Sequence, residues 1–391
     1  MTGARPLRVA WVSHSGDLAG GAQLVLLEGV RALADAGISS HVVVPTGGEL
    51  ADALAGDGVP VSVAPVPEWV RWWELSRARI AGRSVLSAGR LLRAAGPVRR
   101  ILRAAAPDVV VTNTLAAGVA AVAARTLGLP HVWYVHEFGG ADFGMHFDFG
   151  EAPTLRLVGR LSRVVLANSE AVAAKLAGHG LAGKVRVVYC AVDVPEVEPV
   201  PVPVGGGLRL VIVGRLSRIK GQDEAIRAVA AAVERGADVS LVVVGGDPSS
   251  SIGRELQQLA RTSGIADRVT FTGQVPDPHA FVLGADAALM CSPSEAFGRV
   301  TVEAMKLGRP VLGTRSGGTA ELVRDGWNGY LYRPGDIGGL ADRIVELAGD
   351  PATLARLAGN ARDWSLATFS RQAYGEALAA ALGAATDGVR P

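Results

Sequence analysis

Residues 286–307 read Asp-Ala-Ala-Leu-Met-Cys-Ser-Pro-Ser-Glu-Ala-Phe-Gly-Arg-Val-Thr-Val-Glu-Ala-Met-Lys-Leu. The apolar run at its start predicts a buried strand, Ser-Pro-Ser-Glu a loop, and the spacing from Val300 to Leu307 a helix. Glu295 then lies where the strand ends, and Glu303 one to two turns into the helix. Amides near Phe297 and Gly298 fall at the helix start, where unpaired N–H groups and the dipole favour an anion. One short unit thus offers two carboxylates for hydroxyl groups and a cradle for phosphate. Two glutamates eight apart, taken alone, are as readily solvated helix charges, so the neighbours decide.

Outward from this unit the pattern repeats. In the first half, strands are expected at 7–13, 41–45, 109–112, 131–135, 164–167 and 185–188. In the second they are expected at 208–213, 239–244, 268–271, 287–290 and 310–313, with helical stretches between. Strands alternating with helices imply right-handed crossovers and parallel sheets, so each half reads as a doubly wound, Rossmann-like α/β domain. Between them, 195–207 reads Pro-Glu-Val-Glu-Pro-Val-Pro-Val-Pro-Val-Gly-Gly-Gly. No helix or central strand survives that proline density, so this is the expected linker. The expected layout is a first domain at 1–194, the linker, and a second domain at 208–363. At 391 residues, two cores are the default.

Composition narrows the class. Hydrophobic residues at 49% and charged residues at 19% describe a globular chain, and Ala, Val and Gly account for the positive mean hydropathy of +0.28. The uncharged stretch 109–124 contains Thr112, Asn113 and Thr114 and is too short to span a bilayer. Residues 1–8 lack the apolar region of a signal peptide. Two cysteines, Cys190 and Cys291, give neither a disulfide framework nor a metal cluster, and a reducing cytoplasm is the expected location. Nine arginines fall between Trp69 and Arg103, opposed only by Glu74, with Trp72 and Trp73 beside Trp69. Such a segment either lies on an anionic membrane surface or forms a basic helical excursion with its tryptophans in the core. Nothing points to nucleic acid as a partner.

Gly214-Arg215-Leu216-Ser217-Arg218-Ile219-Lys220-Gly221 follows the first strand of the second half. Cations at a helix start are unfavourable without an anion, so Arg215 and Lys220 there point to a phosphate. A diphosphate leaving group needs such charge as it departs. Metal assistance ordinarily shows as closely spaced acids, and no Asp-x-Asp occurs in the chain. No metal and no cofactor are therefore expected.

Gly-Arg-Leu-x-x-x-Lys-Gly, Glu-x-Phe-Gly-x-x-x-x-Glu-Ala-Met and Gly317-Gly318-Thr-Ala-Glu321, in that order, resemble the retaining family-4 glycosyltransferases of the GT-B fold. The resemblance spans nearly the whole chain and implies two Rossmann-like domains facing across a central cleft. It implies that Arg215 and Lys220 hold the donor diphosphate, Glu303 the ribose hydroxyls, and Glu295 the transferred sugar. Phe297 and Gly298 would supply backbone contacts, and Gly273, Gln274 and Val275 would hold the nucleobase. In the first half, Gly20 and Gly21 match the family's glycine loop and His136, before Glu137, its histidine near the reacting carbon. His14 and Asp17 are candidates for receiving the acceptor. A C-terminal helix at about 364–382 is implied to pack back on the first domain. The chain departs from the pattern at Cys190-Ala191-Val192-Asp193, where many relatives carry Asn-Gly-Val-Asp.

The implied reaction moves a sugar from a UDP- or GDP-linked donor to a carbohydrate or lipid-linked acceptor, with retention. Cell-envelope glycolipid or polysaccharide synthesis is the implied setting. Transfer to a small soluble acceptor, a sugar-nucleotide epimerase and a non-catalytic nucleotide-sugar-binding protein remain alternatives. A nicotinamide-dependent dehydrogenase is disfavoured, because no Gly-x-Gly-x-x-Gly follows the first strand of either half.

Overall fold

The computed structural model describes residues 6–18, 20–71, 77–140, 144–196 and 206–387, with only the backbone of 77–81. Trp72, Trp73 and most of the proline linker lie outside the described residues, as do the side chains of Arg77 and Arg79. The chain divides into two compact units: Met1–Val192 with Phe369–Pro391, and Asp193–Thr368.

The first unit carries β1 (Arg8–Val12), β2 (Ser39–Val44), β3 (Val61–Val63), β4 (Val70–Arg71), β5 (Val109–Thr112), β6 (His131–Val135), β7 (His146–Phe147), β8 (Val164–Ala167) and β9 (Val185–Val187). Seven of these form a parallel sheet in the order β3-β2-β1-β5-β6-β8-β9, while β4 and β7 pair antiparallel on their own. Trp11, Trp133 and Tyr134 are fully buried in that sheet. The second unit holds β10 (Leu208–Val213), β11 (Val239–Val244), β12 (Val269–Gly273), β13 (Ala287–Met290), β14 (Val311–Thr314) and β15 (Gly329–Tyr332). They form one parallel sheet in the order β12-β11-β10-β13-β14-β15. Both units are doubly wound. In each, strand order reverses beside the first strand, between β1 and β5 and between β10 and β13, and this is where ligands of such sheets bind.

The expected helix over 364–382 is two helices. Pro351–Thr368 ends before Ser370, whose hydroxyl accepts from the Ala373 amide and starts a new helix, Arg371–Thr386. The earlier helix stays with the second unit, and Trp364 packs on that core. The later one lies on the first unit, where the Tyr374 hydroxyl donates to the Val25 carbonyl at 3.4 Å.

The arginine-rich segment also differs from the picture of an interfacial tryptophan edge. Trp69 is buried, stacks on Trp133 with centroids 5.7 Å apart, and donates to the Leu115 carbonyl at 2.6 Å. Arg71 and Arg83 reach Asp148 Oδ1 at 3.2 and 2.5 Å, and Arg90 approaches Oδ2 at 3.5 Å. Asp148 is wholly buried and also accepts from the Ser87 hydroxyl at 2.5 Å, so its charge is neutralised within the fold. These three arginines are structural. The helix Arg77–Ala105 buries Ser87, Leu91, Ala94, Val98 and Leu102, a face at helical spacing. No helix among the described residues is long and apolar enough to cross a membrane.

Candidate functional site

The strand-order reversal of the second unit brings two loops together: 214–221 after β10 and 291–298 after β13. Lys220 Nζ donates to Glu295 Oε2 at 2.7 Å, with the two side chains 21% and 18% exposed. Both backbones are fixed by close packing. Gly221 has φ +67°, and a Cβ on it would collide with the Cys291 carbonyl oxygen at the end of β13. Gly317 has φ +53°, and a Cβ there would strike the Glu295 carbonyl oxygen, which accepts from the Gly318 amide at 2.7 Å. The Gly317-Gly318 motif therefore seats the loop that carries Glu295.

Beyond Glu295, Phe297 is buried and Gly298 precedes the helix Arg299–Lys306. Glu303 on that helix lies 4.0 Å from Arg299 Nε. The 214–221 loop is braced by Gln222, whose Nε2 donates to the Arg215 carbonyl at 2.9 Å while Ser217 N reaches its Oε1 at 3.4 Å. The side chain of Arg215 is exposed. Gly273 ends β12 and accepts from the Gly245 amide at 2.9 Å. After it come exposed Gln274 and half-buried Val275.

In the first unit, the ends of β5 and β6 carry a buried polar row. His136 Nε2 lies 2.8 Å from Asn113 Oδ1, while Asn113 Nδ2 donates to the Ala22 carbonyl at 2.7 Å. Because the asparagine amide nitrogen is committed to Ala22, its oxygen accepts, which places the shared proton on His136 Nε2. Glu137 accepts from the Thr114 hydroxyl, from Leu115 N at 3.3 Å and from His136 N at 3.1 Å. Burial pushes its carboxyl above the ordinary range against those hydrogen bonds.

His14 contacts the Gln23 side chain at 3.1 Å, and burial lowers its imidazole, favouring the neutral form. Asp17 N donates to the Ser15 hydroxyl at 3.0 Å. Gly20, before the helix Gly21–Asp35, has an extended backbone (φ −148°, ψ 161°) that other residues adopt as well. Among the described residues, no three His, Cys, Asp or Glu side chains gather as a metal ion would require.

Three residues escaped sequence reasoning. Asn113 and Thr114 had a signal, a run of polar side chains from Thr112 directly after the apolar Val109–Val111. Asp148 had none, since its partners are 58 to 77 positions away.

The family model described as glycosyl transferases group 1 matches residues 207–350, and that described as glycosyltransferase family 4 matches 19–196. A D-inositol 3-phosphate glycosyltransferase of Catenulispora acidiphila is 32% identical over 259 residues, 60% of this chain and 60% of that protein. The lipopolysaccharide core biosynthesis glycosyltransferase LpsE of Rhizobium meliloti is 30% identical over 237 residues, 58% of this chain and 66% of its own. The chain thus spans less than two thirds of the length of these relatives. Among solved structures, Anabaena HepE in complex with UDP superposes with a TM-score of 0.78 at 25% identity, covering 97% of this chain and 100% of that one.

Proposed function

For a chain that belongs to the glycosyl transferases of group 1 and family 4, with the GT-B fold, we propose transfer of a sugar from a nucleoside-diphosphate sugar to an acceptor hydroxyl, with retention at the anomeric carbon. The observation that carries this reading is the meeting of Lys220 and Glu295 at the strand-order reversal of the second unit. A cation for phosphate and a carboxylate for hydroxyls stand there side by side.

Lys220 and Arg215 take up the charge that grows on the departing diphosphate, without a metal. Glu295 accepts from hydroxyls of the transferred sugar and Glu303 from those of the ribose. Phe297 and Gly298 offer amides to phosphate, and Gly273, Gln274 and Val275 border the base. From the first unit, Gly20, Gly21 and His136 serve the donor near its reacting carbon, and His14 and Asp17 the acceptor. The departing phosphate oxygen takes the acceptor's proton, so no side chain becomes a covalent nucleophile. Calorimetry with UDP and GDP in the presence of a chelator tests this. Saturable binding of one of them supports a metal-free diphosphate site and names the base; binding of neither, nor of UDP-glucose or GDP-mannose, removes the reading. Acceptor-dependent release of the nucleotide separates transfer from epimerisation and from mere binding.

We further propose a cell-envelope acceptor reached from the cytoplasmic membrane face. On the helix Arg77–Ala105, Val85, Leu86 and Leu92 are 73%, 69% and 68% exposed. Arg93, Arg99, Arg100 and Arg103 are exposed too, and the helix carries no acid. An apolar and cationic face of this kind suits an anionic bilayer, at about 1 kcal/mol per arginine near the surface. Reversing those four arginines to glutamate is expected to abolish sedimentation with phosphatidylglycerol vesicles. Unchanged sedimentation would clear these arginines of that role, and failure of the unaltered protein to sediment would leave a small soluble acceptor, as the name of the 31% identical 2-deoxystreptamine glucosyltransferase of Streptomyces kanamyceticus suggests.

A further inference from the structure

We infer that the Lys220–Glu295 ion pair makes this site select a nucleotide that still carries its sugar over the bare nucleoside diphosphate, an inference that rests on the donor-site reading above. The pair closes at 2.7 Å within one unit, and each side chain is about four-fifths buried. Its backbones cannot drift apart to admit a ligand. Gly221 is pressed on Cys291, Gly317 on Glu295, and Glu295 O is held by the Gly318 amide. Only the two side chains can yield.

Their chemistry makes the yielding unequal. The ammonium is a pure donor, so phosphate oxygens are as acceptable to it as the Glu295 carboxylate is. An ionised carboxylate only accepts. Toward phosphate it has nothing to offer but repulsion; toward a sugar hydroxyl it has a charge-assisted hydrogen bond.

A nucleotide sugar presents a second phosphate blocked by one ester link and one anhydride link, with one negative charge, and hydroxyls beyond it. After transfer that phosphate is the terminal group of the diphosphate, carrying about −1.5 to −2 near neutral pH as a phosphomonoester does, and the hydroxyls have left with the product. The bare diphosphate therefore meets Glu295 with more charge and no compensating donor. Lys220 and Glu295 close on each other again as it leaves. The carboxylate acts as a specificity determinant between donor and spent donor, and weak product inhibition follows.

Calorimetric affinities for UDP and UDP-glucose, with GDP and GDP-mannose in parallel, are to be measured on the full chain and on Glu295→Gln and Glu295→Asp. Removing the charge is expected to tighten bare-diphosphate binding about tenfold, the scale of one screened like-charge contact at a partly buried site. Binding of the nucleotide sugar should stay the same or weaken. Glu295→Asp keeps the charge and should keep the discrimination. Unchanged or weaker UDP binding by a Glu295→Gln protein with an unaltered melting temperature overturns the inference while leaving the donor site standing. Equal tightening in Glu295→Asp also overturns it, since side-chain length and not charge would be responsible. If the unaltered protein binds none of the four ligands, the donor-site reading itself fails, and the inference with it.

Discussion

At the carboxyl ends of its central strands the second unit holds a pair of opposite charges within reach of water, Lys220 and Glu295. The first unit holds a row of hydrogen-bonded groups there, with Asn113, Thr114 and His136 buried and Glu137 half-buried. The same topology is put to different use. Charges a fifth exposed can exchange partners at modest cost, as gripping and releasing a phosphate requires. Buried polar groups whose partners are all inside the fold cannot, and they fix orientation instead. The contrast separates Lys220 and Glu295, whose loss should show in turnover, from Asn113 and Thr114, whose loss should show in stability, with His136, proposed to serve the donor, held in place by Asn113.

The largest expected effect lies wholly on the stability side. Asp148→Ala strips the buried carboxylate from Arg71, Arg83 and Arg90. About 3–5 kcal/mol should be lost, chiefly because Arg71 stays buried without its counter-charge. Chemical denaturation followed by Trp69 and Trp133 fluorescence checks this, and a loss under 1 kcal/mol would mean that the cluster is not a structural clamp. Lys220→Ala is the counterpart in the other unit. Turnover should fall roughly 100-fold or more, while stability moves by no more than about 1 kcal/mol, since the freed Glu295 can hydrate. Near-normal turnover in the folded variant would remove Lys220 from its assigned role. Asn113→Ala falls between them, losing about 2 kcal/mol through two buried hydrogen bonds. A loss confined to turnover would place Asn113 with the second unit's kind of residue and break the comparison.

Legibility followed the same division. Both sheets could be read because parallel strands buried on two faces hold continuous apolar runs, as at 109–111 and 241–244. The strands Val61–Val63 and Gly329–Tyr332 were missed: both are short edge strands, and the latter starts on the glycine of an Asn-Gly pair that reads as a turn. Lys220, Glu295 and the Gly317-Gly318 pair stood out because each lies in a loop of fixed spacing after a strand. Their direct contact was not legible, since it depends on the reversal of strand order beside β10. The arginine run was the least transparent. Nothing local distinguishes Arg83, aimed at a buried carboxylate 65 positions on, from Arg93, aimed at water.

The finest distinction lies within the first unit, between an acid and a base. Burial holds His131, between the Thr112 and Ser162 hydroxyls, neutral with its pKa lowered to about 3, while the same cause raises Glu137. Between pH 6.5 and about 3 the unfolded chain protonates His131 and the folded chain does not, so this group withdraws stability as the pH falls. Glu137 acts in the opposite direction. Above the ordinary carboxylate pKa the unfolded chain ionises first, so stability is lost as the pH rises toward the raised value. Each contributes at most about 1.4 kcal/mol per pH unit. Hydrogen exchange of β5 and β6 amides between pH 7 and pH 5 reads both. His131→Asn should gain on the unaltered protein as the pH drops, and Glu137→Gln should lose ground over the same interval. Parallel pH dependence in all three proteins would mean that burial does not disfavour the charged form of either group.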